Sequence, residues 1–479
     1  MKKLFKPQIL TALAGCGLIV YLLFLKPFVG VADNGDFLRM MNTVGLNYYD
    51  AAESYADRFF SFSHSEFAYD NLFRGFYPSS QILLILVPRL LAGLFHGSYF
   101  DIRVLGAVYA LLLLAATWLI VKIGTRSSYI TGILLGAAIL FVFYDIGYLA
   151  YFNSLFGEPV SMVFMLLTFA LGLRLVLQEH PTGKGMTLFF VAVLFLVCSK
   201  IQNAPVGLAF ALIFLRIAAL KGESKWRKLA LRFAVAVALV SIIIYVAAPK
   251  ELKHINLYQT VFFGILNESP DVKGDLRDLG LPERLEVLAG TNYFQTDTAI
   301  KQDDPSLTPD FYDRVSHKDV LFFYLKHPGR LIDNMKYAAE NSMAIRPYYL
   351  GSYEKSEGKP AGAIAMTYSG WSEFKNSRLP DSLGFLIIFY LVYYAGVLFQ
   401  YFRTRETSGR IAGELMMLLG LIGLFSFMVP ILGDGRADIG KHLFMFNVCF
   451  DMMAVAMFGW IVHLLAGLWN NASGRKRRY

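Results

Sequence analysis

The chain has 479 residues, of which 56% are hydrophobic and only 17% are charged. A soluble domain averages roughly 45–50% apolar and about 25% charged residues, so this composition excludes an ordinary cytosolic enzyme. The formal net charge of +9 does not indicate nucleic-acid binding, because the cations flank apolar segments. The sequence therefore predicts an all-α polytopic membrane protein with no nucleic-acid partner.

Apolar runs recur along most of the chain, and a spanning helix needs about 20 such residues. The candidate runs cover residues 9–29, 79–95, 102–121, 129–148, 159–178, 185–198, 204–220, 229–248, 382–402, 411–432 and 443–467. The second run carries Pro88 and Arg89 at its centre, where a lipid-facing helix tolerates them poorly. We therefore predict about ten spans and an outer juxtamembrane helix over 79–95.

The distribution of Lys and Arg sets the predicted orientation, because cations in short loops stay in the cytoplasm. With ten spans, the inner face holds the cationic segments 2–6, 122–126, 184, 221–228, 403–410 and 475–478. The short outer loops keep only Lys200, Arg436 and Lys441. Both termini are therefore predicted to be cytoplasmic, in a multi-pass protein of the cell membrane.

This topology divides the chain into three parts. Residues 1–248 form an N-terminal transmembrane catalytic module with an outer loop at 30–101. Residues 249–381 form an extracytoplasmic cap that is predicted to be mostly helical, with an amphipathic helix near 318–345. Residues 382–479 supply the C-terminal transmembrane helices, with an outer loop at 433–442.

The first stretch with chemical potential follows the first span and contains Asp33, Asn34, Gly35, Asp36 and Arg39. Two carboxylates three residues apart beside a glycine can point at one small volume, as general-base chemistry or cation binding requires. The alternative is a helix-capping turn, with Asp33 or Asn34 as the cap and Asp36 at the positive end of the helix.

Two further stretches lie on the same predicted face. Glu158 stands where a helix re-enters the membrane, as either a partner of the helix dipole or a site residue. Lys200 lies in a tight outer turn with Gln202 and Asn203, on the side that the charge rule disfavours. Its position suggests an anionic partner, whereas the alternative is a side chain that extends to lipid headgroups.

The outer loop between the last two spans concentrates charged and titratable side chains. Arg436, Lys441 and His442, with Asp434 beside them, are a plausible phosphate clamp, and an ordinary hydrated turn is the alternative. Asp451 lies nine residues into the last span, where an internally paired structural role is favoured over catalysis.

The arrangement resembles the GT-C class of multispanning glycosyltransferases, which take a sugar from a polyprenyl-phosphate donor at the outer membrane face. That class has five features in chain order. An acidic motif follows the first span, and a Tyr-Pro or His-Pro-Pro stretch then opens a short helix. An arginine at the start of a span, a second acidic residue and a turn that contains a lysine come after these. The stretches that match here are Asp33 to Arg39, Phe76-Tyr77-Pro78, Asp101-Ile102-Arg103, Glu158 and Cys198 to Gly207. The usual second proline is replaced by Ser79.

More narrowly, three stretches resemble bacterial hexose transferases that act in glycan biosynthesis: residues 151–159, 199–203 and 433–436 with His442. The resemblance implies direct displacement at the anomeric carbon, with Asp36 as the base and Asp33 as its alternate. It also implies that Arg436, Lys200 or Lys441 holds the phosphate while Glu158 orients the acceptor or the sugar. Arg39, Gln202, Asn203, Asp434 and His442 complete the predicted substrate-binding set.

The partners implied by this resemblance are a polyprenyl-phosphate-linked sugar donor, membrane lipids, and a glycan, lipid-linked or protein acceptor. No cofactor or catalytic metal is expected. The main competing hypotheses are a transporter or flippase for lipid-linked sugars, and a polysaccharide polymerase or ligase. A receptor or scaffold whose outer cap binds a partner is a third.

Overall fold

In the computed structural model, 68% of the residues are helical and 3% lie in strands, which confirms an all-α polytopic architecture. The structure describes residues 6–95 and 97–472. The predicted cytoplasmic cations Lys2 and Lys3, and those of 475–478, lie outside the described residues.

The predicted membrane spans correspond to long apolar helices. Within the described residues, eight helical segments have the length and hydropathy of a span: Pro7–Phe24, Arg103–Ser127, Glu158–Val176, Ile201–Leu220, Ser224–Val246, Leu383–Arg403, Thr407–Gly433 and Phe444–Leu468. The last belongs to the helix Phe444–Ala472. These segments account for eight of the ten predicted crossings.

The other two predicted spans are irregular. The run predicted over 129–148 is a helix, Tyr129–Phe143, followed by a second helical segment, Ile146–Asn153, at an angle of 55°. The break occurs because Asp145 caps the second segment by accepting a hydrogen bond from the Gly147 N–H at 2.7 Å. Gly183–Val197 has 15 residues and is therefore shorter than a full crossing.

The predicted juxtamembrane helix is observed as Gln81–Phe95, with Pro88 inside it. Arg89 lies at its centre and donates hydrogen bonds to the carbonyl oxygens of Gly45 at 3.2 Å and Asp70 at 3.1 Å. Both acceptors lie earlier in the loop 30–101 than the helix itself. These contacts hold the helix against the first part of that loop, in agreement with a position outside the spans.

The loop 30–101 contains a sheet that the sequence analysis did not predict. Strands β1 (Leu46–Tyr48), β2 (Glu66–Tyr69) and β3 (Tyr99–Asp101) form an antiparallel sheet in the order β1-β2-β3. Phe67 faces Phe100 across the β2–β3 pair, and both side chains are buried. Aromatic residues favour such half-buried strands. The loop also contains the helices Phe37–Val44 and Tyr55–Arg58.

The cap is mostly helical. Its helical segments are Lys250–Tyr258, Gln259–Ile265, Val272–Asp278, Glu283–Leu288, Thr308–Tyr312, His317–Lys326, Pro328–Glu340, Lys355–Glu357 and Gly370–Arg378. The prediction of a single helix near 318–345 was wrong. The segment forms two helices, His317–Lys326 and Pro328–Glu340. Pro328 lacks the N–H that would continue the first helix, and proline is favoured at the start of a helix. Buried residues between Leu257 and Tyr324 form an apolar core within the cap.

A buried ion pair fixes the last cap helix, Gly370–Arg378, to the bundle. The Nζ of Lys375 donates to Oδ1 of Asp451 at 2.6 Å, and both side chains are fully buried. Trp371 and Tyr148 donate to Oδ2 of the same carboxylate at 3.0 and 2.6 Å. Asp451 is therefore internally paired, as predicted.

Candidate active site

Asp33 organises the turn after the first span. Its Oδ1 accepts hydrogen bonds from the N–H groups of Gly35 at 2.7 Å and Phe37 at 3.1 Å, and its Oδ2 accepts one from the Tyr48 hydroxyl. The Asp33 side chain is fully buried, and this burial raises its pKa despite the three donors. Gly35 completes the turn at φ 101°, a conformation that favours glycine. These contacts give Asp33 a positioning role and argue against its predicted role as the alternate base.

Asp36 is the carboxylate of this turn that keeps some access to solvent. Its side chain is 32% exposed, and its Oδ1 lies 3.0 Å from Nη1 of Arg39. Its Oδ2 accepts a hydrogen bond from Nζ of Lys441. The surrounding protein disfavours the charged form, but Lys441 and Arg39 outweigh that effect and hold the pKa of Asp36 well below its usual value. Asp36 is therefore a half-buried carboxylate whose charged form these two cations favour.

Lys441 is a buried cation beneath that carboxylate. Only 3% of its side chain is exposed, and its Nζ also donates to Oδ1 of Asn34 at 3.1 Å. The ammonium group lies 4.3 Å from the centre of the Phe156 ring, within the range of a cation–π contact. Burial disfavours the charged form of Lys441, but the negative charges of Asp36 and Glu158 raise its pKa above the usual value.

Glu158 and Lys200 form a second ion pair beside the first. Oε1 of Glu158 accepts from Nζ of Lys200 at 2.5 Å, and the Glu158 side chain is only 1% exposed. Within the part of the chain that the structure describes, Oε2 of Glu158 is buried and has no hydrogen-bond partner. A buried carboxylate oxygen without a donor is uncommon, so this atom is available to a ligand.

The four sequence stretches meet at one end of the helical bundle. Asp36 follows the first span, Glu158 begins the span Glu158–Val176, and Lys200 directly precedes Ile201–Leu220. Lys441 precedes the last helix, and the charges of both lysines act on Asp36. Three of the predicted site residues, Asp36, Glu158 and Lys200, thus lie near one another and near Lys441, whereas Arg436 does not join them.

Arg436 departs from the predicted arrangement. Its Nη1 donates to Oε2 of Glu268 at 2.6 Å and its Nε donates to Oδ1 of Asn334 at 3.0 Å. The guanidinium group also lies 4.7 Å from the ring centre of Tyr337. All three partners belong to the cap, so Arg436 ties the loop 433–442 to the cap.

The remaining predicted residues mostly have structural partners. Nε2 of His442 lies 2.7 Å from Oδ2 of Asp434. Burial disfavours the charged imidazole, but the Asp434 carboxylate outweighs this effect and raises the pKa of His442. Asn203 donates to the hydroxyl groups of Ser161 at 3.0 Å and Ser199 at 2.9 Å. The half-buried Gln202 side chain takes part in none of the hydrogen bonds between described residues.

Sequence reasoning missed several residues of the site. Tyr349 reaches the site from the cap, and its hydroxyl donates to Oδ1 of Asp438, whose Oδ2 accepts from Asn34 at 3.3 Å. Within the described residues, the buried hydroxyl of Tyr151 has no partner, and Glu158 is among the charges around it. Burial raises the pKa of Tyr77 to about 12, with Arg39, Asp36 and Glu158 nearby. Tyr77 and Tyr151 lie in stretches that the sequence analysis used, but no sequence signal indicated Tyr349.

No arrangement of three or more His, Cys, Asp or Glu side chains suited to a metal ion occurs among residues 6–95 and 97–472. The charged cluster consists of paired carboxylates and ammonium groups. Such a set is suited to bind an anionic group beside a proton acceptor.

The fold and this cluster define a multi-pass, all-α membrane protein with a cluster of paired charges at one end of its helical bundle. The chain matches the family described as the YfdI N-terminal transmembrane domain over residues 1–478, and it belongs to that family. No curated protein and no solved structure matches the chain significantly.

Proposed function

We propose that the protein is a membrane glycosyltransferase that moves a hexose from a polyprenyl-phosphate donor to a glycan, lipid-linked or protein acceptor at the outer membrane face. Family membership is consistent with a membrane glycosyltransferase in general. The observation that carries the proposal is a half-buried Asp36 that forms an ion pair with the buried Lys441 and lies near a second cation, Lys200.

The proposed reaction is a single displacement. An acceptor hydroxyl attacks the anomeric carbon, its proton moves to the Asp36 carboxylate, and the bond between the anomeric carbon and the phosphate oxygen breaks. The electron pair of that bond leaves with polyprenyl phosphate. General-base assistance of this kind typically contributes about 10²–10⁴-fold to the rate.

The lysines would stabilise the leaving group. Negative charge accumulates on the phosphate as the bond breaks, and fixed cations in a partly desolvated site stabilise that charge. Lys441 is directly bonded to Asp36, so a phosphate that attracts Lys441 also weakens the interaction that holds the pKa of Asp36 low. Donor binding would thereby make Asp36 a stronger base.

Glu158 would orient a substrate hydroxyl. Its Oε1 is occupied by Lys200, whereas its Oε2 is buried without a partner in the described structure. A substrate hydroxyl that donates to Oε2 would satisfy this atom. Because the carboxylate is held by Lys200 at 2.5 Å, we assign orientation to Glu158 and proton transfer to the more exposed Asp36.

The test is hexose transfer in liposomes that contain the purified full chain, a polyprenyl-phosphate hexose labelled in the sugar, and a membrane extract as the source of acceptor. We expect Asp36→Asn to lower transfer at least 100-fold because the base is lost. Asp333→Asn is the matched control, since Asp333 is a carboxylate on the cap with 61% of its side chain exposed. Full transfer by Asp36→Asn would refute the mechanism.

The same preparation separates the competing function of a transporter or flippase. A flippase moves the labelled lipid between leaflets without breaking the bond to the hexose. Recovery of the intact donor lipid from the opposite leaflet, with no labelled product, would show that the protein is a flippase and would refute the proposed transfer.

The predicted orientation requires a separate experiment. In a variant without native cysteines, Ser98→Cys should react with a membrane-impermeant maleimide added to intact cells. Glu223→Cys, at the opposite end of the bundle, should react only after permeabilisation. Both positions are exposed on the protein surface. The reverse pattern would place the site in the cytoplasm.

A further inference from the structure

An aromatic surface lies near Asp36 and has no role in the mechanism above. Phe60 belongs to the loop 30–101 and Tyr349 to the cap, and their ring centres lie 6.3 Å apart. Phe60 is 39% exposed and Tyr349 is 46% exposed. Two aromatic rings from distant parts of the chain thus present accessible faces at one place.

This surface is continuous with the proposed active site. The Tyr349 hydroxyl donates to Asp438, and Asn34 donates to the other oxygen of that carboxylate at 3.3 Å. Asn34 in turn accepts from Lys441, which donates to Asp36. Asn34 and Asp438 are half-buried, so polar atoms border the aromatic rings on the side of the base.

The backbone holds this surface in an uncommon conformation. Phe60 and Asp438 both have left-handed backbone angles, with φ of 68° and 45°. The Phe60 N–H donates to the Asp33 carbonyl oxygen at 2.8 Å, and the Phe60 carbonyl oxygen accepts from the Gly351 N–H at 2.8 Å. A bulky residue at positive φ persists only where the surrounding structure enforces it, and such residues cluster at functional sites.

We propose that Phe60, Tyr349, Asn34 and Asp438 form a subsite for a pyranose ring of the acceptor; we call these four residues the acceptor platform. Aromatic faces provide apolar contact for the C–H face of a sugar, while carboxylate and amide groups bind its hydroxyls. The carboxylates of Asp438 and Asp36 both lie near Tyr349 and disfavour an anion there, so the donor phosphate belongs on the lysine side. The assignment to the acceptor rests on the proposed function, whereas saccharide binding itself does not.

Saccharide binding can be measured without transfer. The full chain would be placed in nanodiscs made from lipids that lack sugars. Saturation-transfer difference NMR would then follow the methyl α- and β-glycosides of glucose, galactose and mannose. We expect at least one glycoside to bind the wild-type protein. Phe60→Ala and Tyr349→Ala should each weaken its affinity by about five- to tenfold, as loss of one aromatic contact predicts.

Two further variants keep the experiment decisive. Phe60→Tyr retains the ring and should retain affinity, which separates loss of the aromatic face from a folding defect. Phe294→Ala is the matched control, since Phe294 is 66% exposed on the cap and lies outside the acceptor platform. The inference is overturned when no glycoside binds the wild-type protein, or when Phe60→Ala and Tyr349→Ala bind as tightly as Phe294→Ala.

Failure of the proposed function gives a different result. In that case the wild-type protein binds a glycoside through the acceptor platform but transfers no hexose in the liposome assay. In the opposite result, Phe60→Ala and Tyr349→Ala transfer hexose with an unchanged KM for the acceptor. This result would refute acceptor binding at the acceptor platform but would leave the proposed function unchanged.

Discussion

The buried ion pair between Lys375 and Asp451 provides a sharp prediction about how the cap is attached. Both side chains are fully buried, and Asp451 accepts hydrogen bonds from Lys375, Trp371 and Tyr148. In Lys375→Met the carboxylate would keep two neutral donors but lose its counter-charge. In Asp451→Asn the buried ammonium group would lose its only ionic partner among the described residues.

Removing one partner of a buried ion pair typically costs about 3–5 kcal/mol, because the remaining charge stays desolvated. We therefore expect each single variant to lose about that much free energy of unfolding. The double variant, Lys375→Met with Asp451→Asn, contains no buried charge, and the new amide can still accept from Trp371 and Tyr148. It should lose no more than either single variant, so the two changes should be strongly non-additive.

The measurement is a double-mutant cycle of unfolding free energies in mixed detergent micelles, followed by tryptophan fluorescence. Lys336→Met is the control, since Lys336 forms a surface pair with Asp333 and is 59% exposed. Its effect should stay within about 0.5 kcal/mol. Additive losses in the double variant would show that the pair does not act as a unit, and the reasoning would then be refuted.

Three further predictions concern the site. Lys441→Met should raise the pKa of Asp36, which the wild-type protein holds well below its usual value. An acid limb of kcat/KM that is absent from the wild-type profile between pH 4 and 8 should therefore appear in the variant, and an unchanged profile would contradict the pairing. Tyr48→Phe removes a hydrogen-bond donor to the buried Asp33. It should reduce the free energy of unfolding, measured in denaturant titrations, by about 1.5–3 kcal/mol. An unchanged free energy of unfolding would refute the positioning role of Asp33. Lys200→Met should abolish transfer, and Lys200→Arg should retain part of it in the liposome assay because the positive charge remains.

Much of the fold follows from the sequence because lipid imposes simple rules. Each crossing needs a long apolar helix, and the ten predicted crossings all correspond to helical segments. The exceptions have local causes that hydropathy does not register. Asp145 caps a new helix inside one apolar run, and a proline at position 328 divides one amphipathic run into two helices.

The site was less predictable because adjacent charges in one loop can point in opposite directions. Arg436 and Lys441 are five residues apart, yet Arg436 contacts the cap and Lys441 contacts Asp36. Similarly, Asp33 and Asp36 share one turn, but Asp33 is buried while Asp36 is accessible. Tyr349 reaches the site from the cap, and a single sequence contains no signal for so distant a contact.

The paired charges of the cluster would make the proposed catalysis differ from simple phosphate binding. Lys441 is already bonded to Asp36, and Lys200 is already bonded to Glu158. A donor phosphate must therefore compete with carboxylates for both lysines, which limits the net affinity gained from its ground-state charge. In the proposed reaction, the phosphate would gain charge as the bond to the hexose breaks, and the incoming proton would neutralise Asp36. Both changes would shift Lys441 from the carboxylate to the phosphate, so the cluster would bind the transition state more tightly than the substrate.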